Sequence, residues 1–396
     1  MPKKLLVLSR VVPVLVGLGF LSGCIPDPKP LTLPAPTGPF TVSTFAIEVT
    51  DPQRPDDRTA DEGDFRPVKA RIWYPSEVDV TEPTAYAPAV LSAAAAASYH
   101  MDPGFAEFIV TQNQANLRIA DAGAPYPLVL FSHGLGTSPE AHTTTLQDLA
   151  SRGYFVVSVN HTYGSAASVF DDGTVAEFNV PARPADPGPF ASQSERDAYQ
   201  EALDAWHDNL IEEWRADLEL VLNFLLDSKK KGLVLFDSDK IAAAGHSFGG
   251  AAALAFALGD ERVDCVADLD GTLWAGLQDQ AFDRPFLLAN TPTLYTRDAS
   301  RAAVFDQLTG PGFRIDVRGA GHLNFSDVGL LTETYSSPLW RHSQSPLDIG
   351  RGDSVRLLRV TNAYLAGFLD EYLKDTPSPL LDGPSSDYPE VTLTSR

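Results

Sequence analysis

The sequence is poor in cysteine, in methionine and in basic side chains, and each shortage excludes something. Two cysteines, Cys24 and Cys265, cannot build a disulfide framework. There is no C-x-x-C, no H-E-x-x-H, no EF-hand loop and no P-loop, so no metal and no nucleotide cofactor is expected. Thirty Lys and Arg face 52 Asp and Glu, a formal charge of −22. A polyanion of that kind is repelled by nucleic acid backbones, which are met by basic patches, and resists adhesion to anionic membrane surfaces. No internal repeat is found. What remains is a 396-residue chain, 44% hydrophobic and 21% charged, long enough for a sizeable globular core.

The first residues read as an address. Lys3, Lys4 and Arg10 precede the apolar stretch Val11–Leu21, which Pro13 interrupts. That stretch is shorter than the about 20 residues a membrane-spanning helix needs, and has the layout of a secretory signal peptide over residues 1–23. Leu21-Ser22-Gly23-Cys24 resembles the lipobox of bacterial lipoproteins. The resemblance implies cleavage before Cys24, acylation of that cysteine and a stable lipid anchor. Ile25 rather than Asp follows the cysteine, which by the sorting pattern of such lipoproteins points to the outer membrane or cell surface. Residues 24–40 are rich in proline and read as an extended tether without a core of its own.

Residues 41–376 carry the pattern of a catalytic domain, and residues 377–396 read as a loose tail. Thr41–Val49 and Val68–Trp73 read as strands, with an acidic turn between them. The alanine run 93–97 fits a helix or a linker equally. Leu128–Phe131, Tyr154–Val159, Ile241–Gly245, Val263–Leu269, Pro285–Ala289 and Phe313–Val317 are short apolar runs, as expected of strands buried on both faces. Helical segments alternate with them, at 138–152, 192–229, 248–258, 301–308 and 354–374. In the longest, Leu203, Trp206, Leu210, Trp214, Leu218, Val221 and Leu225 form one apolar face. Residues 161–190 read as a long loop and 326–352 as a loop-rich insert. Strands alternating with helices predict an α/β fold, a mostly parallel sheet covered on both faces.

Ester cleavage near neutral pH needs a hydroxyl, a base to activate it, an acid to orient the base and donors for the oxyanion. Gly245-His246-Ser247-Phe248-Gly249-Gly250 follows a strand and opens a helix, the context of a nucleophile elbow, with glycine two before and two after Ser247. The helix N-terminus behind the serine favours developing negative charge. The base is His322, just past the last strand. Of the other histidines, His246 sits inside the elbow and reads as structural, and His133 belongs to a glycine turn. His100, His142, His161, His207 and His342 lie in loops or helices without a strand-end position. The acid is Asp270, with Asp268 as the alternative; both fall on one side of a strand, and Asp270 is nearer the loop where such acids sit. The chain order Ser, Asp, His suits an α/β-hydrolase. The oxyanion donors are the backbone N–H groups of Phe248 and, in the early turn His133-Gly134-Leu135-Gly136, of Leu135.

These segments resemble the plasma-type platelet-activating factor acetylhydrolases, a family of α/β-hydrolases. The resemblance rests on Arg71-Ile72-Trp73-Tyr74-Pro75-Ser76, Phe131-Ser132-His133-Gly134-Leu135-Gly136, Asp148 to Tyr154, Gly245 to Gly250, Leu269-Asp270 and Gly321 to Phe325, in family order across residues 40 to 370. It implies a triad of Ser247, Asp270 and His322, oxyanion donors at Leu135 and Phe248, and a preference for Asp270 over Asp268. It also implies calcium-independent cleavage of short or oxidised acyl groups at the second glycerol position of phospholipids. The loop 161–190, the region 271–284 and the insert 326–352 depart from the family pattern, which leaves the acyl pocket and the substrate open. The alternatives are a general carboxylesterase or polyester hydrolase and, from another class, a catalytically silent lipoprotein that binds ligands. The expected partner is a small ester or phospholipid, with the membrane reached through the lipid anchor.

Overall fold

The computed structural model describes residues 28–396, except 116–117, 122, 124, 232–235, 293–297 and 346–347. The expected leader and Cys24 lie outside the described residues. The first described elements are β1 (Leu31–Thr32), β2 (Thr41–Pro55), β3 (Phe65–Ser76), α1 (Ala89–Tyr99), β4 (Ile109–Val110) and β5 (Asn113–Ala115). Then come β6 (Pro127–Ser132), α2 (Thr143–Ser151), β7 (Phe155–Asn160), β8 (Ala167–Val169), β9 (Val175–Glu177) and α3 (Gln193–Lys230). The C-terminal half adds β10 (Asp237–His246), α4 (Phe248–Gly259), β11 (Cys265–Leu269), β12 (Phe286–Asn290), α5 (Ala299–Gln307) and β13 (Gly312–Val317). It ends with α6 (Asp327–Tyr335), α7 (Pro338–Ser343), α8 (Ser354–Leu373) and β14 (Val391–Ser395).

Ten strands form one sheet in the order β14-β13-β12-β11-β10-β6-β7-β3-β2-β5. From β13 to β7 every pairing is parallel, and β3, β2 and β14 introduce antiparallel pairs towards the two edges. The expected α/β class therefore stands. The two faces of the sheet fill two separate cores, because successive strand residues point to opposite sides. Leu128 and Leu130 join one core with Leu210, Trp214, Leu218 and Val221 of α3. Val129 and Phe131 join the other with Leu146 of α2 and Leu365 and Phe368 of α8. Cys265 is a buried free thiol in β11. At the start of α3, Ser192 accepts from the Glu195 N–H at 3.3 Å, and the Glu195 carboxylate accepts from the Ser192 N–H at 2.6 Å, a reciprocal cap.

Four sequence expectations are corrected. The tail 377–396 is not loose: β14 pairs antiparallel with β13 and closes that sheet edge. Its Val-Thr-Leu-Thr-Ser alternation is too short to stand out in the sequence. The described part of the tether is docked rather than free. There β1 pairs with β4, Leu33 is buried with Phe105 and Ile109, and the Thr37 hydroxyl donates to Asp148 at 2.7 Å. The insert 326–352 holds two helices, α6 and α7, and the loop 161–190 carries the β8–β9 hairpin. The alanine run resolves as helix α1.

Candidate active site

β10 ends at His246 and α4 begins at Phe248, leaving Ser247 alone in the turn with φ 58° and ψ −126°. A residue with a Cβ pays steric strain there unless its surroundings enforce it. Two glycines do so. A Cβ at Gly245 would lie 2.1 Å from the Gly249 carbonyl oxygen, and one at Gly249 would lie 2.1 Å from that of Ser132. The Ser247 N–H donates to Leu269 O at 3.0 Å and the Gly250 N–H to Ser247 O at 3.0 Å, which pins the turn. The Ser247 Oγ is thereby held 2.8 Å from Nε2 of His322.

His322 opens a short 3-10 turn, His322–Phe325, beyond β13. The Asn324 side-chain oxygen fastens that turn by accepting from Gly321 N–H at 2.9 Å and Gly350 N–H at 2.8 Å. Asp270 follows β11 directly, with φ 57°, so its side chain leaves the alternation of the strand. Its Oδ2 lies 2.8 Å from His322 Nδ1. Its Oδ1 accepts from the Thr291 N–H at 2.8 Å and from Arg301 Nη1 at 3.1 Å. Burial pushes the Asp270 carboxyl up, but the Arg301 charge and the His322 hydrogen bond outweigh it and hold it below the usual carboxylate range. An ionised carboxylate only accepts, so Nδ1 of His322 donates to it and Nε2 is left to accept from the serine hydroxyl.

Asp268 has a different setting. Its Oδ1 accepts from the Gly271 N–H at 2.8 Å and fills the space a Cβ on Gly250 would need. Burial drives its carboxyl well above the usual range, towards the neutral form. The geometry thus separates the two aspartates that strand periodicity left together.

Of the expected oxyanion donors, Phe248 follows the nucleophile directly, and Leu135 lies on the turn whose Gly134 approaches it. Phe248 is the first residue of α4, where helix N–H groups have no partner within the helix. The Gly134 position lies 3.2 Å from Ser247 Cβ, measured from an ideal Cβ, and Leu135 follows it. Gly136, with φ 72°, donates its N–H to Gly164 O at 2.8 Å and fixes the far end of that turn. Gly136 and Thr137 also border an apolar cavity lined by Leu91, Ala95, Met101 and Phe105.

Beneath this turn lies a feature that sequence reasoning missed. His161, immediately after β7 and therefore at a strand end after all, lies 2.8 Å from Ser132 Oγ through Nε2 and 3.1 Å from Asp217 Oδ2 through Nδ1. The imidazole stacks on Trp214 at 4.0 Å and 8°. Asp217 is gripped by Arg66 through two contacts of 2.9 Å; against the effect of burial, that charge holds its carboxyl far below the usual range. Ser132, His161 and Asp217 thus repeat the serine–histidine–aspartate pattern, but all three are wholly buried. No local motif marks Asp217, Arg66 or Arg301: Arg66 and Asp217 are 151 residues apart, and Arg301 and Asp270 are 31 apart.

A model of the alpha/beta hydrolase family matches residues 129–386, well over half of the sequence. The chain belongs to the alpha/beta hydrolase family. Within this alpha/beta hydrolase, residues 28–183 also match the model described as platelet-activating factor acetylhydrolase, isoform II. A platelet-activating factor acetylhydrolase of Bos taurus is 28% identical over 272 residues, covering 63% of this chain and 58% of that protein. The alignments with the bovine and Cavia porcellus proteins thus span 58% of the length of those relatives. A probable 1-alkyl-2-acetylglycerophosphocholine esterase of Arthroderma benhamiae is 25% identical over 402 residues, covering 92% and 94% of the two chains. Among solved structures, a ferulic acid esterase from Streptomyces cinnamoneus superposes with a TM-score of 0.76 and 29% identity, over 92% of this chain and 99% of that one.

Proposed function

We propose that this alpha/beta hydrolase cleaves carboxylic esters through an acyl-enzyme on Ser247. The observation that carries the reading is the continuous contact Asp270–His322–Ser247, 2.8 Å at each step. In the first half-reaction the Ser247 Oγ attacks the ester carbonyl carbon while His322 Nε2 takes the hydroxyl proton. The carbonyl oxygen becomes an oxyanion facing the N–H groups of Phe248 and Leu135. Collapse breaks the bond to the alcohol oxygen, which leaves with the proton from His322. Water then attacks the acyl-enzyme by the same route and frees the acid. Asp270 orients the imidazole and balances its transient charge.

The substrate class we propose is a short-chain acyl ester, with platelet-activating factor-like or oxidised phospholipids cleaved at the second glycerol position. The platelet-activating factor acetylhydrolase match over residues 28–183 and the Arthroderma benhamiae relative support this reading. The apolar cavity beside the turn at Gly136 offers room for an apolar arm of the substrate. A general carboxylesterase is the second reading, favoured by the likeness to the ferulic acid esterase. Hydrolysis of phospholipids with a truncated acyl chain, soluble short esters, phenolic acid esters and polyester film by one preparation decides between them. Preference for the truncated phospholipid supports the first reading, and preference for phenolic or simple esters the second.

Lipid anchoring at Cys24, at a bacterial outer membrane or cell surface, is part of the same proposal. It predicts incorporation of labelled palmitate that C24S abolishes; equal labelling of C24S contradicts it.

A further inference from the structure

We infer that Arg301 is a positioning residue for ester cleavage, setting the charge and the direction of Asp270 from behind. The inference rests on the hydrolase reading above. Arg301 lies on α5 and is wholly buried. Its Nη1 reaches Asp270 Oδ1 at 3.1 Å and also donates to the Asn290 side-chain oxygen at the end of β12. Its Nε lies 3.5 Å from Asp298 Oδ2, and Asp298 caps α5 by accepting from the Ser300 N–H at 3.0 Å. The guanidinium therefore lies between a strand end and a helix start, and the Nη1 that meets Asn290 also meets Asp270.

Simple satisfaction of hydrogen bonds does not require this arrangement. Asp270 Oδ1 already accepts from the Thr291 N–H at 2.8 Å, so the arginine adds charge rather than a missing donor. A buried guanidinium is costly unless it is closely paired. Asp268 shares its surroundings but is driven towards its neutral form, so Asp270 at 3.1 Å and Asp298 at 3.5 Å are the anions that pair the guanidinium. Asp316 stands behind Asn290 and is occupied by Arg314 at 3.3 Å.

The consequence reaches His322. The imidazole faces Asp270 and Ser247, with the neutral His246 ring 4.7 Å away, His142 beyond that ring and Asp348 on the adjoining loop. With Arg301 in place, the Asp270 charge is shared between guanidinium and imidazole. Without it, burial pulls the Asp270 carboxyl back towards its neutral form, and the imidazole loses the anion that orients it and balances its charge.

The test compares wild type with R301M and R301K in steady-state kinetics. R301M is expected to lose about 10²-fold in kcat with KM within about twofold. R301K keeps the charge and should recover kcat to within about tenfold of wild type. Should R301M fail to fold, N290A decides: it leaves every charge in place but frees Nη1 from its anchor on β12, and should lower kcat about tenfold at unchanged KM. Wild-type kcat in R301M, a kcat in R301K as low as in R301M, or wild-type kcat in N290A overturns the inference. A wild-type protein inert towards every ester sinks the hydrolase reading instead, and the rate of Ser247 labelling by a fluorophosphonate, which should be slowed in R301M, still decides the role of Arg301.

Discussion

His246 donates its Nε2–H to the main-chain carbonyl of His322 at 2.9 Å, so the residue before the nucleophile holds the residue that carries the base. Burial, and then the nearby His322, lower the His246 pKa to about 3, so the ring stays a neutral donor across the working range. Among the described residues its Nδ1 has no hydrogen-bond partner. Replacing the ring therefore removes one clamp on the base. H246L is expected to lower kcat about tenfold with KM little changed, by steady-state kinetics. Unaltered kcat in a folded H246L protein speaks against the clamp.

Neutral buried histidines make the fold acid-sensitive. Burial is the first cause in each of His133, His142, His161 and His246, and every one is shifted below its ordinary value, His133 and His246 to about 3. The unfolded chain takes up these protons near pH 6.5, and the folded chain does not. Their contribution is complete above that pH and is lost as pH falls towards the folded values. Each contributes up to about 1.4 kcal/mol per pH unit in that window. Urea unfolding at pH 7, 6 and 5 should show the decline, and H142M should flatten it by about one proton. An H142M protein whose stability falls with pH as steeply as that of wild type contradicts the assignment.

Asp270 and Asp268 should respond oppositely to the same change. D270N replaces an ionised, base-orienting carboxylate and is expected to cost about 10⁴-fold in kcat with the fold retained. D268N replaces a carboxyl that burial drives towards its neutral form and that bonds to the Gly271 N–H rather than to His322, so its kcat should stay within about threefold of wild type. Initial rates on a short acyl ester distinguish the two, and a larger loss in D268N reverses the roles.

The buried Ser132–His161–Asp217 set has the contacts of a triad but no access for substrate. S132A should retain turnover. D217A takes from Arg66 the carboxylate that meets it twice, leaving Glu213 at 3.1 Å, and should cost about 2–3 kcal/mol of stability in urea unfolding. Loss of turnover in a folded S132A protein would transfer the chemistry to the wrong serine.

The parallel core was legible because strands buried on both faces are continuous apolar runs, as in Leu128–Phe131 and Ile241–Gly245, and these fall within β6 and β10. Ser247, His322 and Asp270 were legible because the turn between β10 and α4 and the ends of β11 and β13 have local sequence signatures. The separation of Asp270 from Asp268 was not legible from periodicity, since a positive φ at 270 rather than the strand alternation aims the carboxylate. Arg301, Asp217 and Arg66 gave no local signal, because their roles arise from contacts across the fold. The strand β14 was missed because its five residues gain their hydrogen bonds from β13 rather than from a pattern of their own.

The most direct measurement is intact-mass and peptide mapping after reaction with a fluorophosphonate, paired with ester turnover, in wild type and S247A. The expected result is a single adduct on Ser247 in wild type, with no adduct and at least an about 10³-fold loss of turnover in a folded S247A protein. An adduct on another serine, or turnover in S247A at the wild-type rate, contradicts the assignment of Ser247 as nucleophile.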